Sequence, residues 1–275
     1  MNTIRLVVNA DDFGRAPEVN AGIELAFRDG IVTSTSIMTN FPAFEEAVEL
    51  AVDRRIPVGL HVNLTDGKPL SDASLIPSLV DADGFFPGKV EFFMRVKRGQ
   101  ISPVEARREL EAQLAKAAQR LSLDHLDGHH HVHTVPMIAE ICHDLAVAAG
   151  IPFIRYVSRP KYFFPLHAAL QQWTQHTVIG KGLKPRLKCA DHFWGYELWL
   201  AEDKERALDR VIGSLRPGLN ELMCHPALFG DGPRTARGRQ RENELYALCS
   251  EKVKEKIARR GIVLTNFAEA AGSSA

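Results

Sequence analysis

Short apolar runs alternate with helical periodicity along almost the whole chain. Residues 4–10, IRLVVNA, have the β-branched, nearly continuous apolar character of a buried strand. Residues 17–30, PEVNAGIELAFRDG, then read as a helix in which Val19, Ile23 and Phe27 recur every four residues. Pro17 suits its first turn and Gly30 can end it. IVTSTSIM (31–38) is a second strand, PAFEEAVELAVDRR (42–55) a second helix and IPVGLHVNL (56–64) a third strand, which makes βαβαβ. Residues 102–121, SPVEARRELEAQLAKAAQRL, open with a predicted capping box of Ser102 and Glu105 and carry Leu110, Leu114 and Leu121 on one face. LDGHHHVHT (126–134) follows as the next strand and its mouth. Helix 136–150, strand 151–157, a less regular region over 173–188, helix 201–215, strand 219–225, a basic loop, a long helix from about Arg241 and GIVLTNF (261–267) complete the pattern.

Such regular β/α alternation predicts a parallel sheet, and 275 residues favour a closed or distorted, TIM-barrel-like (β/α) barrel over an open sheet. The expectation is one α/β domain over residues 1–270 with a frayed tail at 271–275. Lys plus Arg balances Asp plus Glu at 34 each, so no global field recruits nucleic acid or an anionic membrane, and a small substrate is expected. No run approaches the roughly 18 apolar residues of a membrane span, and the chain starts directly on a strand-like segment, which predicts a cytoplasmic protein. Cys142, Cys189, Cys224 and Cys249 lie far apart with no CxxC, as reduced thiols would. Neither GxGxxG nor a P-loop is present, so nucleotide binding has no motif behind it.

In a β/α barrel the chemistry gathers where strands end and βα loops begin. Four strand ends are polar: NADDFG with Asp11 and Asp12, GLHVNL with His61, DGHHHVH, and ELMCHPA with His225. Alternation puts Gly59, His61 and Asn63 on the face opposite Val58, Leu60, Val62 and Leu64. If the histidine run stays extended, His129, His131 and His133 share a face and His130 opposes them. A lone histidine is more often scaffold than ligand, and an Asp pair after a strand is often a helix cap. Carboxylates and imidazoles on several ends of one barrel, however, converge on a point, and that convergence predicts a metal site. One carboxylate and two imidazoles leave coordination positions open for water and substrate; a second carboxylate can take the water's proton, and His225 can protonate a leaving group.

These segments carry a resemblance. VNADDFG, N-x-GI-x-x-A, GIVTSTS, GLHVNLTDGKPL, HLDGHHHVH and ELMCHPA, in this order and spacing, resemble the YdjC-like carbohydrate deacetylase family, and the match continues through RENEL and GIVLTNF. IPSLVDADGFFP (76–87) also resembles a branch associated with hopanoid biosynthesis. The resemblance implies a distorted (β/α) barrel of the glycoside hydrolase and deacetylase type, commonly a homodimer, which removes acetyl groups from N-acetylated sugars or glycolipids with a divalent ion. Magnesium or zinc comes first, with manganese, cobalt and nickel also accommodated. It implies Asp12, His61 and His129 as ligands, Asp11 as base and His225 as acid. Asp127 would orient His129 or a neighbouring imidazole, and His131 and His133 would line the sugar site or help hold the ion. DHFWGY (191–196) resembles a family segment near the pocket, which adds His192.

Other features are expected to be plainer. Phe193 and Trp194 are expected in the core. Arg234, Arg237, Arg239 and Arg241 are expected on a solvated loop, His130 as scaffold, and Asn9, Thr33, Ser34 and Thr35 as hydrogen-bonding support. FPGKVEFFMRVKRG (86–99) looks like an insertion, with Phe85, Phe86, Phe92 and Phe93 closing over the pocket or packing in an interface. Two rivals are a non-haem iron oxygenase, in which the second carboxylate would lack a task, and a sugar- or metal-binding module without catalysis.

Overall fold

The computed structural model describes residues 3–157, 187–230 and 235–272. The chain runs β1 (Ile4–Phe13), α1 (Pro17–Asp29), β2 (Ser34–Ile37), α2 (Phe44–Arg54), β3 (Val58–Val62), a 3-10 turn (Ala73–Leu75), α3 (Lys89–Lys97) and α4 (Pro103–Ala118). It continues through β4 (Leu123–Gly128), a 3-10 segment (His129–Thr134), α5 (Pro136–Ala148), β5 (Phe153–Ile154), β6 (His192–Trp194), α6 (Tyr196–Leu200) and α7 (Lys204–Ser214). β7 (Gly218–Cys224), α8 (Ala236–Leu248), α9 (Glu251–Arg259), β8 (Val263–Leu264) and α10 (Phe267–Gly272) complete it.

All strand pairs are parallel, in the order β5-β4-β3-β2-β1-β7-β6. β7 pairs with β1 from Ile4 to Ala10, so β2 and β8 share the other edge of β1, β8 at Arg5 and Leu6 and β2 from Asn9 onward. Lys188, just ahead of β6, accepts from Ile154 N–H (2.9 Å) and donates to Pro152 O (3.2 Å). The segment 187–194 therefore touches β5 at one end and β7 at the other, curling the sheet into the expected distorted (β/α) barrel.

Strand alternation divides the apolar residues into two cores. Leu6, Val8, Leu60, Val62 and Leu222 face outward into the large core shared with the helices. Val7, Phe153 and Leu219 face the lumen, where Phe267 and Ala270 of α10 plug the bottom of the barrel. The plug leads into a polar layer: the Phe267 ring lies 4.2 Å from the His125 imidazole, whose Nδ1 is 2.6 Å from Asp124 Oδ1. Gly59 makes this possible, because a Cβ there would sit 2.3 Å from the His125 ring.

Several local expectations need correction. Ser102 caps α4 by accepting from Glu105 N–H (3.4 Å), but the capping box is half formed: the Glu105 carboxylate accepts from Ser78 N–H (2.7 Å) instead of reaching back to Ser102. The last long helix is two, α8 and α9, and the residues ahead of Arg241 already belong to α8. Phe86, Phe92 and Phe93 neither close the pocket nor wait for an interface, since they are buried in the main core; Phe85 is 41% exposed under Lys68. Most of the irregular 173–188 region, and residues 273–275, lie outside the described residues. No described helix is long and apolar enough to cross a membrane.

Gly59→Ala is expected to destabilise the barrel by about 1–3 kcal/mol, since the imidazole it would strike is itself held on both sides. Thermal melts followed by circular dichroism check this, and an unchanged midpoint would mean the His125 ring has room to move.

Candidate active site

The four polar strand ends meet at one mouth of the barrel. Plain alternation would send Asp11 and Asp12 to opposite faces of β1. Instead the β1–β2 register slips between Ala10 and Phe13, and Asp12 takes a left-handed backbone (φ 73°). The irregularity turns Asp12 back, so both carboxylates line the same pocket. Aspartate tolerates this conformation better than most residues.

The histidine run behaves differently from an extended strand. β4 ends at Gly128, and His130 (φ 52°) and His131 (φ 58°) both adopt left-handed backbones, so the shared face expected for His129, His131 and His133 does not form. His129 faces Asp12. His131 lines the pocket against Phe193 (6.0 Å) and Tyr196 (5.5 Å). His133 is buried behind Gly128 and does not line it, whereas His130, expected as scaffold, does, with Thr65 Oγ1 2.9 Å from its Nδ1. His192 is not part of the site. It pairs in register with Asn220, five residues before His225, and its Nε2 meets Pro217 O (3.3 Å) near the opposite end of the barrel.

Asp12, His61 and His129 each bring one ligand atom within 4.8 Å of the others, and all three are buried. Asp12 Oδ1 lies 2.9 Å from His129 Nδ1 and 3.5 Å from His61 Nε2, yet accepts no well-directed hydrogen bond among the described residues. A buried carboxylate oxygen facing two ring nitrogens without bonding either is the donor set of a cation site, so these residues fit a divalent ion. His61 Nδ1 donates to Asp127 Oδ1 (2.6 Å), which directs Nε2 at Asp12. Asp127 therefore orients His61, not His129. Burial lowers the His61 pKa, but the charges of Asp127 and Asp11, the nearby Asp12 carboxylate and the hydrogen bond to Asp127 outweigh it and lift the value to about 10. Burial likewise opposes ionisation of Asp12, and His129 and Arg241 overcome it, holding the carboxyl well below its usual range.

Two arginines that the sequence reading did not select organise these acids. Arg155, just past β5, is fully buried and bonds Asp11 through Nη1 and Nη2 (both 2.7 Å), Asp127 through Nη2 (2.7 Å) and Glu221 through Nε (2.5 Å). Its signal was a single charge in the apolar strand IPFIRYV. Arg241 was expected on a solvated loop; it is a buried residue of α8, and its Nη2 bonds Asp12 Oδ2. Arg237 also lines the pocket, and Arg234 lies outside the described residues.

His225 follows β7. Its backbone N–H donates to Glu244 Oε1 (2.6 Å), its ring packs 4.7 Å from Trp199, and its Nε2 is 3.9 Å from Asp11 Oδ2. Burial drops its pKa to about 4 against the opposing pull of Asp11 and Asp12, so the imidazole is neutral at neutral pH. Three of the expected supporting residues hydrogen-bond: Asn9 Nδ2 donates to Asp11 Oδ1 (2.9 Å), Thr35 Oγ1 to Ala10 O (2.6 Å), and Thr33 Oγ1 accepts from Val8 N–H (3.0 Å); Ser34 Oγ is buried with no hydrogen-bond partner among the described residues. Trp194 is in the core with its Nε1 on Asn220 (3.0 Å), while Phe193 is only half-buried, under the Arg155 guanidinium (5.5 Å).

Arg155→Met should cost about 3–5 kcal/mol by leaving buried carboxylates uncompensated. The pH dependence should also change. Asp127 is held far below its usual range, burial notwithstanding, by Arg155 and His61, so its stabilisation is complete above an unfolded pKa of about 3.9 and is lost only as pH falls towards the folded value. Without Arg155 the folded pKa values of Asp127 and Glu221 rise, so the stability gap between parent and variant should narrow as pH falls from about 8 to 5. Melting curves across that range check the sign.

The chain is similar to known proteins over nearly its whole length. The chain is 36% identical to a carbohydrate deacetylase of Geobacillus stearothermophilus, covering 96% of each chain. It is 35% identical to one of Brevibacillus brevis, covering 97% of this chain and 99% of that one. Among solved structures it resembles a proposed cellobiose-phosphate cleavage protein of Enterococcus faecalis, with a TM-score of 0.78 and 27% identity over 98% of this chain and 99% of the other. The family model described as YdjC-like protein matches residues 5–259, and with relatives this similar over nearly their full length the chain belongs to the YdjC-like family.

Proposed function

We propose that this chain is a divalent-metal-dependent hydrolase that removes the acetyl group from an N-acetylated amino sugar or sugar conjugate. The observation that carries the reading is the Asp12–His61–His129 donor set with a second carboxylate, Asp11, and an imidazole, His225, at its edge. The relatives described as carbohydrate deacetylases support the same reaction class. One carboxylate with two imidazoles suits zinc, and also magnesium, manganese, cobalt or nickel.

A bound cation would lower the pKa of water and polarise the acyl oxygen. The residues of the chain do the rest. Arg155 grips both oxygens of Asp11 and Asn9 takes a further site on Oδ1, which fixes the carboxylate in one orientation. Asp11 takes the proton as the water oxygen bonds to the carbonyl carbon. His225 Nε2, 3.9 Å from Asp11 Oδ2, is positioned to relay that proton to the sugar nitrogen as the C–N bond breaks, leaving acetate and a free amine. Tyr196 and Trp199 line the same pocket and offer aromatic faces to a sugar ring.

Metal-stripped protein given single divalent ions should release acetate from members of a panel of N-acetylated sugars, and complete silence with metal bound would defeat the reading. Asp11→Asn should retain one equivalent of metal while turnover drops by roughly 100-fold or more. His129→Ala should lose metal and activity together; full metal occupancy in that variant would mean another residue supplies the third ligand.

A further inference from the structure

Arg241 has one hand committed and one free. Nη2 bonds Asp12 Oδ2, the carboxylate oxygen turned away from the two histidines. Nη1 is buried and has no hydrogen-bond partner among the described residues, and the side chain is only 9% exposed. Arg241 lines the pocket together with Asp11, Asp12, His61 and His225. A buried guanidinium N–H without an acceptor costs on the order of 1–3 kcal/mol, and sites keep such a cost where a ligand supplies the acceptor. Because the guanidinium is a rigid plane, fixing Nη2 on Asp12 also fixes the direction of Nη1.

Charge indicates what kind of acceptor fits. Each of the pocket's two acids already has a guanidinium against it, Asp11 sharing Arg155 with Asp127 and Glu221, and Asp12 on Arg241. Lys89 and Arg237 line the same pocket without an ion pair among the described residues. Three basic side chains, Lys89, Arg237 and Arg241, thus face this mouth, and an oxygen that carries negative charge suits the free Nη1. In acyl hydrolysis that charge appears on the former carbonyl oxygen when water adds to the carbon, beside the Asp12 that Arg241 already holds.

We propose that Arg241 is a catalytic residue whose Nη1–H donates to the acyl oxygen as the carbonyl carbon becomes tetrahedral, while its Nη2 keeps Asp12 in place. The inference rests on the hydrolase reading above. Donation is strongest where the charge is fullest, so the contribution falls on kcat more than on KM.

Arg241→Lys separates the two hands, since an ammonium can stay on Asp12 but cannot also supply the second, fixed donor. Three quantities should be measured on folded variant and parent: zinc equivalents bound, kcat and KM for acetate release, and the affinity of the zinc-loaded protein for acetate. The expected result is unchanged zinc stoichiometry, a similar KM, a kcat lower by roughly 100-fold and acetate binding weaker by about tenfold. Arg241→Ala in added guanidinium should recover part of the lost kcat. The proposal is overturned if Arg241→Lys keeps kcat within about threefold of the parent at full zinc occupancy, or if activity falls only in step with lost zinc. Should the parent release no acetate from any sugar, the hydrolase reading fails by itself. Acetate affinity then decides on Arg241: weaker binding in the variant at full zinc occupancy keeps it as the pocket's anion donor, and equal binding removes it.

Discussion

The mouth of the barrel depends on one buried cation. Arg155 sits where β5 ends and touches Asp11, Asp127 and Glu221, carried by β1, β4 and β7. Bringing three carboxylates into a closed lumen is costly by desolvation alone, and a guanidinium with five fixed donors offsets that cost while setting their mutual geometry. Burial alone pushes the Arg155 pKa down, but the three acids raise it well above its ordinary value, so it stays charged. Through Asp127 the same cation reaches His61, whose ring is pinned at 2.6 Å. Asp11, the orientation of the His61 ring and the spacing of the strands thus share one electrostatic anchor.

Around that anchor the lumen is layered. Phe267 and Ala270 seal the bottom with Val7, Phe153 and Leu219. His125 and Gly59 occupy the level above, and the acids and imidazoles of the site face the open mouth. The plug is apolar, and a low local dielectric strengthens the buried ion pairs of Arg155 above it. Three of the four left-handed non-glycine backbones among the described residues are at the mouth, the fourth being Arg55 at the end of α2. Asp12, His130 and His131 hold left-handed conformations beside the pocket, and each aims a side chain that regular strand geometry would have turned elsewhere. A guanidinium sits on each side of the acids, Arg155 on Asp11 and Arg241 on Asp12, so consecutive carboxylates hold separate charge partners and are free for separate tasks.

Much of this could be read from the chain directly. The β/α rhythm and the polar strand ends follow from local periodicity and residue type, because an apolar run with a polar end has few places to go in a parallel barrel, while the choice of Asp12, His61 and His129 among the polar residues is what the family resemblance implies. What stayed hidden depended on contacts distant in sequence. Arg155 looked like one stray charge in a strand and Arg241 like part of a solvated loop, since nothing local shows that three carboxylates meet the first or that a helix carries the second beneath Asp12. His192 misled for the converse reason: it shares a segment with Phe193 and Tyr196, which border the pocket, but it sits at the lower end of β6. The run from His129 to His133 shows the division most clearly. Its composition announced a site, but which imidazole faces Asp12, which lines the pocket and which is buried was decided by where β4 stops and the backbone turns left-handed, and that is set by the packing of neighbouring strands.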